Sequence, residues 1–216
     1  DSLVGRTDPA YRAALQQYGE ALSQRNALLR GRFSSADDAQ FSPWESMLAQ
    51  AGALISSRRA AQLHAFVGSF QRMYTDLTGE ETDVIRLVYR SNVCGMDVDE
   101  YRERLRESRE ADRQRTFTHL GPHRDDLRLL RRGLDMRECA SQGEQRAALL
   151  TLVLAEWEGS GEGGSLGDAG GERPLLLLDD VMSELDEERR RALVAAVERG
   201  SQALLTTTDL RYFSPS

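Results

Sequence analysis

Apolar side chains recur at helical spacing through the first third of the chain, then give way to short, dense apolar runs in the last third. Tyr11, Leu15, Tyr18, Leu22 and Leu29 fall at steps of four, three, four and seven, which is one face of a helix with a coiled-coil-like seam. Asp8-Pro9 supplies the start, an N-cap followed by proline at the first helical position. Gly31 to Ser42 is polar and turn-rich. From Pro43 a second helix is predicted, with Leu48, Ala51, Ile55, Leu63, Phe66, Phe70, Met73 and Leu77 near helical spacing up to Gly79. Two long seamed helices joined by a polar loop make an antiparallel hairpin. It is either an arm reaching for a partner or for DNA, or a helical subdomain packed on the rest of the chain.

Thr82 to Tyr89 reads as a strand, and Asp97 to Arg115 as a charged helix of alternating sign. Such a pattern predicts a solvated face, with arginines available to phosphates as the alternative. Asp126–Leu130 and Leu134–Glu138 form a predicted β-hairpin around Arg131-Arg132-Gly133, and Ser141–Trp157 a helix. Glu158 to Arg173, with seven glycines in sixteen residues, is expected to be a mobile surface loop. A strand at Leu175–Leu178, a helix over Glu187–Arg199 and a strand at Ala203–Thr207 follow. Strand, helix, strand predicts a parallel sheet with a crossover helix. The fold class is therefore α/β, with a mainly helical subdomain over 1–115 and an α/β lobe over 116–216.

Composition narrows the function classes. The chain has 216 residues and a net charge of −7, which disfavours coating nucleic acid by bulk electrostatics and leaves room only for a local basic surface. No apolar run approaches the ~20 residues of a membrane-spanning helix, so no membrane association is expected. Cys94 and Cys139 lack metal-ligand spacing and read as reduced thiols of a cytoplasmic protein. All 28 basic residues are arginine, so no lysine exists to complete a G-x-x-x-x-G-K-[ST] phosphate loop. With no Met at its start, the chain is expected to begin partway through a longer protein.

The chemistry lies in the C-terminal half. Ser141 and Glu144 form an S-x-x-E capping box with Gln142, Gly143 and Gln145 around it, and Gly143 would let a ligand approach a helix N-terminus whose amides attract anions. Leu175 to Leu178 read as a strand buried on both faces, ending in Asp179 and Asp180 where open α/β sheets bind ligands. Asp179 would hold Mg²⁺, and Asp180 would orient or deprotonate an attacking water. Ser183, Glu184, Leu185 and Asp186 follow at the spacing of a D-loop. In this order the motifs look like the signature, Walker B strand and D-loop of an ABC-type ATPase head. Where that family places a switch histidine, this chain has Thr207, Thr208 and Asp209. His123, Arg124 and Asp125, in Gly121-Pro122-His123-Arg124-Asp125-Asp126, are either a catalytic or phosphate-sensing set or a turn held by its own ion pairs. His64 reads as structural.

Together, Thr118 to Asp126, Ala140 to Arg146, Leu176 to Asp186 and Thr206 to Asp209 closely resemble the RecF family of SMC-like ATPases. The first helix, through Asp8-Pro9 and Tyr18 to Leu29, resembles it too. The resemblance implies ATP and Mg²⁺ as cofactors and an ATP-driven homodimer in which Ser141 and Gly143 of one copy close over nucleotide held by the other. It also implies DNA, double-stranded or gapped, and RecR/RecO-type mediators as partners. The expected role is DNA repair and replication with recombinase loading at gaps. Family members carry their phosphate loop upstream, so this chain is expected to start just after that lobe and to be inactive alone. The alternative is a binding module that has lost nucleotide competence. The glycine-rich link is longer than usual in the family, Cys139 stands where an aromatic is common, and the C-terminus looks short.

Overall fold

Asp8, in an extended conformation, accepts the Tyr11 amide at 3.0 Å and opens α1 (Pro9–Arg30), with Pro9 at its first position. The computed structural model describes Val4 and residues 8–31, 38–159, 174–199 and 202–213. Along α1 the buried face is Tyr11, Ala14, Tyr18, Ala21, Arg25 and Leu29, with Leu15 and Leu22 packed beside it. α2 (Asp38–Thr78) is a single helix of 41 residues. It begins five residues ahead of the predicted start, placing Pro43 inside the helix. That proline forgoes one backbone hydrogen bond, a loss offset by the complete burial of neighbouring Phe41. At its other end Gly79 adopts φ +70° and donates its amide to Thr75 O at 2.8 Å, a left-handed cap that favours glycine.

α1 and α2 run antiparallel. Asp8 pairs with Arg58, Tyr11 with Arg59 and Arg25 with Glu45, so the partner moves back along α2 as α1 advances. β1 (Ile85–Arg90), α3 (Val98–Glu107) and α4 (Arg109–Arg115) follow. The charged segment is thus two helices broken at Ser108, with Arg102, Glu103, Arg106, Glu107 and Glu110 on the predicted solvated face and a second face turned inward. Tyr101, Leu105, Arg109 and Asp112 are buried, because Glu45 and Arg25 supply opposite charges inside the core. Gly52 permits this packing, since a Cβ there would lie 2.6 Å from the Tyr101 ring and 3.1 Å from that of Tyr18.

β2 (Asp126–Arg131) and β3 (Leu134–Asp135) pair antiparallel, with β1 on the other side of β2. Arg132 and Gly133 both have positive φ, 51° and 83°, the type I′ geometry that suits a two-residue hairpin. The second strand is shorter than predicted, because Asp135 caps α5 (Met136–Cys139) by accepting the Arg137 amide at 3.0 Å. α6 (Gln142–Gly159) comes next. The glycine-rich stretch 160–173 lies outside the described residues. β4 (Leu176–Leu178) and β5 (Ala203–Leu205) pair in parallel, Leu176 with Ala203 through Leu178 with Leu205, connected by α7 (Glu187–Arg199).

The leucine strand is not buried on both faces. Leu176 and Leu178 are buried, whereas Leu177 is 64% exposed, Leu175 49% and Leu204 58%, because the described residues cover only one face of this two-stranded sheet. Contacts divide the chain into Asp1–Leu63 with Tyr89–Leu127, and His64–Val88 with Arg128–Ser216. The division runs within α2, β1 and β2 rather than between residues 115 and 116. The core of the first unit is built on Tyr11, Tyr18, Leu48, Ile55, Tyr101 and Leu105. No helix among the described residues is long and apolar enough to cross a membrane.

Candidate nucleotide site

Ser141 N-caps α6 in the reciprocal pattern its sequence predicts. Its amide donates to Glu144 Oε2 at 2.7 Å, and the Glu144 amide donates to Ser141 Oγ at 3.3 Å. Those bonds, with Arg131 beside it, hold the Glu144 carboxyl below its usual range. Arg131 reaches Glu144 Oε1 at 3.2 Å and also clasps Glu80, so one guanidinium joins the segment after α2 to the start of α6. Ser141, Gln142 and Gly143 are exposed. A Cβ at Gly143 would meet nothing within 4 Å. No internal contact therefore demands glycine there, and the helix end is open to a ligand. Gln145 turns inward instead, donating to Met136 O at 3.0 Å and Ala140 O at 3.1 Å, which fixes the α5–α6 junction.

Asp179 and Asp180 stand just past the C-terminal end of β4. Asp180 adopts φ 47°, ψ 26°, a left-handed conformation costing about 1–2 kcal/mol for a non-glycine residue. Ser183 Oγ lies 2.9 Å from Asp180 O and 3.1 Å from Asp180 Oδ2, while Oδ1 is buried without a hydrogen-bond partner. Thr206 spans both acids. Its hydroxyl donates to Asp179 Oδ1 and accepts the Asp180 amide at 3.0 Å. No cluster of three or more potential metal ligands occurs among the described residues. Magnesium needs only one or two carboxylates, completed by water and phosphate oxygens. The exposed carboxylate of Asp179 fits that demand.

The predicted D-loop, Ser183 to Asp186, begins inside a 3₁₀ turn over Val181–Glu184. Glu184 pairs with Arg146 of α6 at 2.9 Å, tying the turn to the capping-box helix. Leu185 is buried, and Asp186 accepts the Arg189 amide at 2.9 Å at the start of α7. Arg190 donates to Met182 O at 2.8 Å and lies 3.9 Å over the Tyr212 ring.

Of the predicted switch residues, the Thr207 hydroxyl donates to Asp209 O and accepts the Asp209 amide, each at 3.2 Å, and Arg211 draws the Asp209 carboxyl down to about 2. Thr208 is exposed. Among the described residues none of the three bonds to Asp179 or Asp180; Thr206, the first residue of the same stretch and given no role of its own by the sequence, does so. The signal was the parallel register, which sets the position after Leu205 opposite the one after Leu178.

His123, Arg124 and Asp125 belong to the other unit. His123 Nε2 donates to Thr118 O at 2.9 Å, so Nδ1 is the acceptor for Tyr18 Oη at 2.7 Å. Burial lowers the imidazole pKa and raises that of the Tyr18 hydroxyl, which favours a neutral ring accepting a phenolic proton. Asp125 accepts from Arg59 at 2.8 Å and from Tyr89, and Arg124 lies 4.6 Å over Phe117. Both imidazole nitrogens are spent on holding the turn.

No family model matches the chain. It is 37% identical over 222 residues to the DNA replication and repair protein RecF of Herpetosiphon aurantiacus, covering 100% of this chain and 55% of that protein. A second RecF, from Heliobacterium modesticaldum, is also 37% identical, with 100% and 58% covered. The chain thus spans little more than half the length of these relatives. Among solved structures, the recombination mediator protein RecF-ATPrS in the RecFOR pathway superposes with a TM-score of 0.78 at 30% identity, over 97% of this chain and 56% of that one. The corresponding RecF-ATP structure gives 0.77 at 30% identity.

Proposed function

The chain belongs to RecF in sequence and fold, matching over its whole length, and from that membership we propose that the complete protein is an ATP-dependent DNA-binding ATPase of replication and repair. The observation that carries this reading is the arrangement within one unit. An open capping-box helix end is tied by Arg146–Glu184 to a turn that follows two carboxylates at a strand end. The relatives named above act in DNA replication and repair, and the solved neighbours carry ATP or ATPrS.

In this reading the Ser141–Glu144 capping box sets a helix end at which the backbone amides of Gln142 and Gly143 face the phosphates of a nucleotide held by a second copy, with Gln145 positioning that turn. Asp179 holds Mg²⁺, which when bound neutralises phosphate charge. Asp180 turns its unpaired oxygen to the attacking water. Closure of the homodimer on gapped or double-stranded DNA, with RecR/RecO-type mediators as partners, completes the proposal, and cytoplasmic location follows. The net charge of −7 confines DNA contact to a local arginine surface.

The deciding experiment uses the complete protein. Ser141→Arg should abolish ATP-driven dimerisation, followed by light scattering, while leaving ATP affinity of the monomer within about threefold of wild type. Asp180→Asn should hold the ATP-bound dimer and stop turnover. Loss of monomer binding in the first, or normal hydrolysis in the second, would refute these roles. A second reading, a binding module without hydrolysis, draws on the lack of a G-x-x-x-x-G-K-[ST] loop in these 216 residues. It requires that the complete protein bind no ATP.

A further inference from the structure

We propose that Thr206 is a positioning residue for the two carboxylates of the nucleotide site, a single hydroxyl that orients Asp179 and locks the backbone of Asp180. This rests on the ATPase reading above and assigns a role to a side chain outside the signature, Walker B, D-loop and switch residues.

The placement follows from the sheet. Parallel pairing of Leu178 with Leu205 brings the next residue of each strand side by side. The Thr206 amide extends the ladder by donating to Leu178 O at 3.0 Å. Its side chain therefore starts from a fixed point beside Asp179. A hydroxyl offers one donor and two acceptor lone pairs, and both functions are engaged. The proton goes to Asp179 Oδ1, and a lone pair receives the Asp180 N–H at 3.0 Å.

Each bond has a separate effect. The bond to Asp179 fixes the orientation of its carboxylate and leaves its second oxygen to face the cation. The bond from the Asp180 amide restrains a left-handed residue, φ 47°, at the point where the chain turns from β4 into the 3₁₀ turn. With that turn set, Ser183 takes Asp180 Oδ2, and Oδ1 is the oxygen left without a partner. An isosteric valine keeps the volume and loses both bonds, whereas serine keeps both bonds and loses one methyl. The pair therefore separates the hydroxyl from the packing.

In the complete protein, Thr206→Val should lower kcat for ATP about tenfold or more while KM for ATP stays within about twofold, and should raise the magnesium concentration needed for half-maximal turnover. Thr206→Ser should recover most of the rate. Independently of turnover, amide hydrogen exchange at Asp180 should accelerate about tenfold in Thr206→Val and stay near wild type in Thr206→Ser. If Thr206→Val does not fold, Thr206→Ala removes the same hydroxyl without placing a second methyl beside Asp180.

A valine variant with wild-type kcat, magnesium requirement and Asp180 exchange overturns the proposal. So does a serine variant as impaired as the valine one. A wild-type protein that neither binds nor hydrolyses ATP removes the function it rests on, and the exchange data then judge the hydroxyl bridge alone.

Discussion

Arg25 Nη1 lies 2.6 Å from Asp112 Oδ2, and neither side chain has any exposed surface. The pair sits in a closed set of polar bonds. Arg25 also donates to Glu45, to Thr118 Oγ1 at 2.8 Å and to Leu105 O at 2.8 Å. Asp112 also accepts from Ser108 Oγ at 2.9 Å and from the amide and ring of His119. Glu45 is shared with Arg109, which reaches its two oxygens at 2.8 and 2.6 Å. Removing one member leaves its partner charged and dry. Asp112→Ala or Arg25→Met should therefore each cost about 3–5 kcal/mol in urea unfolding, and Arg25→Met with Asp112→Leu markedly less than the sum. Additive losses would show that the buried charges do not act as a unit.

Asp112 and His123 both limit tolerance of acid, in different pH windows. For Asp112, burial would raise the pKa, but hydrogen bonds from His119, Arg25 and Ser108 prevail and hold it below the usual range. Its contribution is present above the unfolded value near 3.9 and is lost as pH falls through the lower folded value. For His123, burial depresses the folded pKa below 6.5. Stability from the neutral ring is therefore complete above about pH 6.5 and declines as pH falls toward the folded value. Between pH 7.5 and 5.5 the urea midpoint should fall for wild type and change less for His123→Gln. Parallel pH profiles would contradict the tautomer drawn from the Thr118 and Tyr18 bonds.

Two glycines separate structure from function. Gly121 has φ +134°, and a Cβ there would overlap the hydroxyls of Tyr18 and Tyr101. Gly121→Ala should cost about 3 kcal/mol or more. Gly143 lies in the first turn of α6 with open space around it, so Gly143→Ala should raise stability by up to about 1 kcal/mol. In the complete protein the same alanine should weaken nucleotide-driven dimerisation, because it fills the approach to the helix end. Thermal melts and light scattering on the two variants distinguish these outcomes, and undiminished dimerisation in Gly143→Ala would argue against the trans site.

The long helices were legible because Tyr11, Tyr18, Leu48, Ile55 and Phe70 repeat at the period that buries one face. The capping box was legible because its bonds lie within four residues. What escaped required tertiary partners. Arg109 and Asp112 look like surface charges until Glu45 and Arg25 are seen opposite them. Leu177 looks like a core residue unless the number of covered faces is known. Thr206 differs from Thr207 and Thr208 only through strand register, which a single sequence does not print. His123 drew attention as a reactive side chain, yet its two nitrogens close a turn through residues 5 and 105 positions away in sequence.

The half-covered leucine sheet bears on how the chain behaves in a tube. Among the described residues, β4 and β5 pair only with each other, and Leu175, Leu177 and Leu204 present an apolar face to water. Faces of that kind pair with copies of themselves. The 216-residue polypeptide should accordingly gain apparent mass with concentration whether or not nucleotide is present. Such stickiness would imitate the ATP-driven dimer in any assay that does not first establish a nucleotide-free baseline.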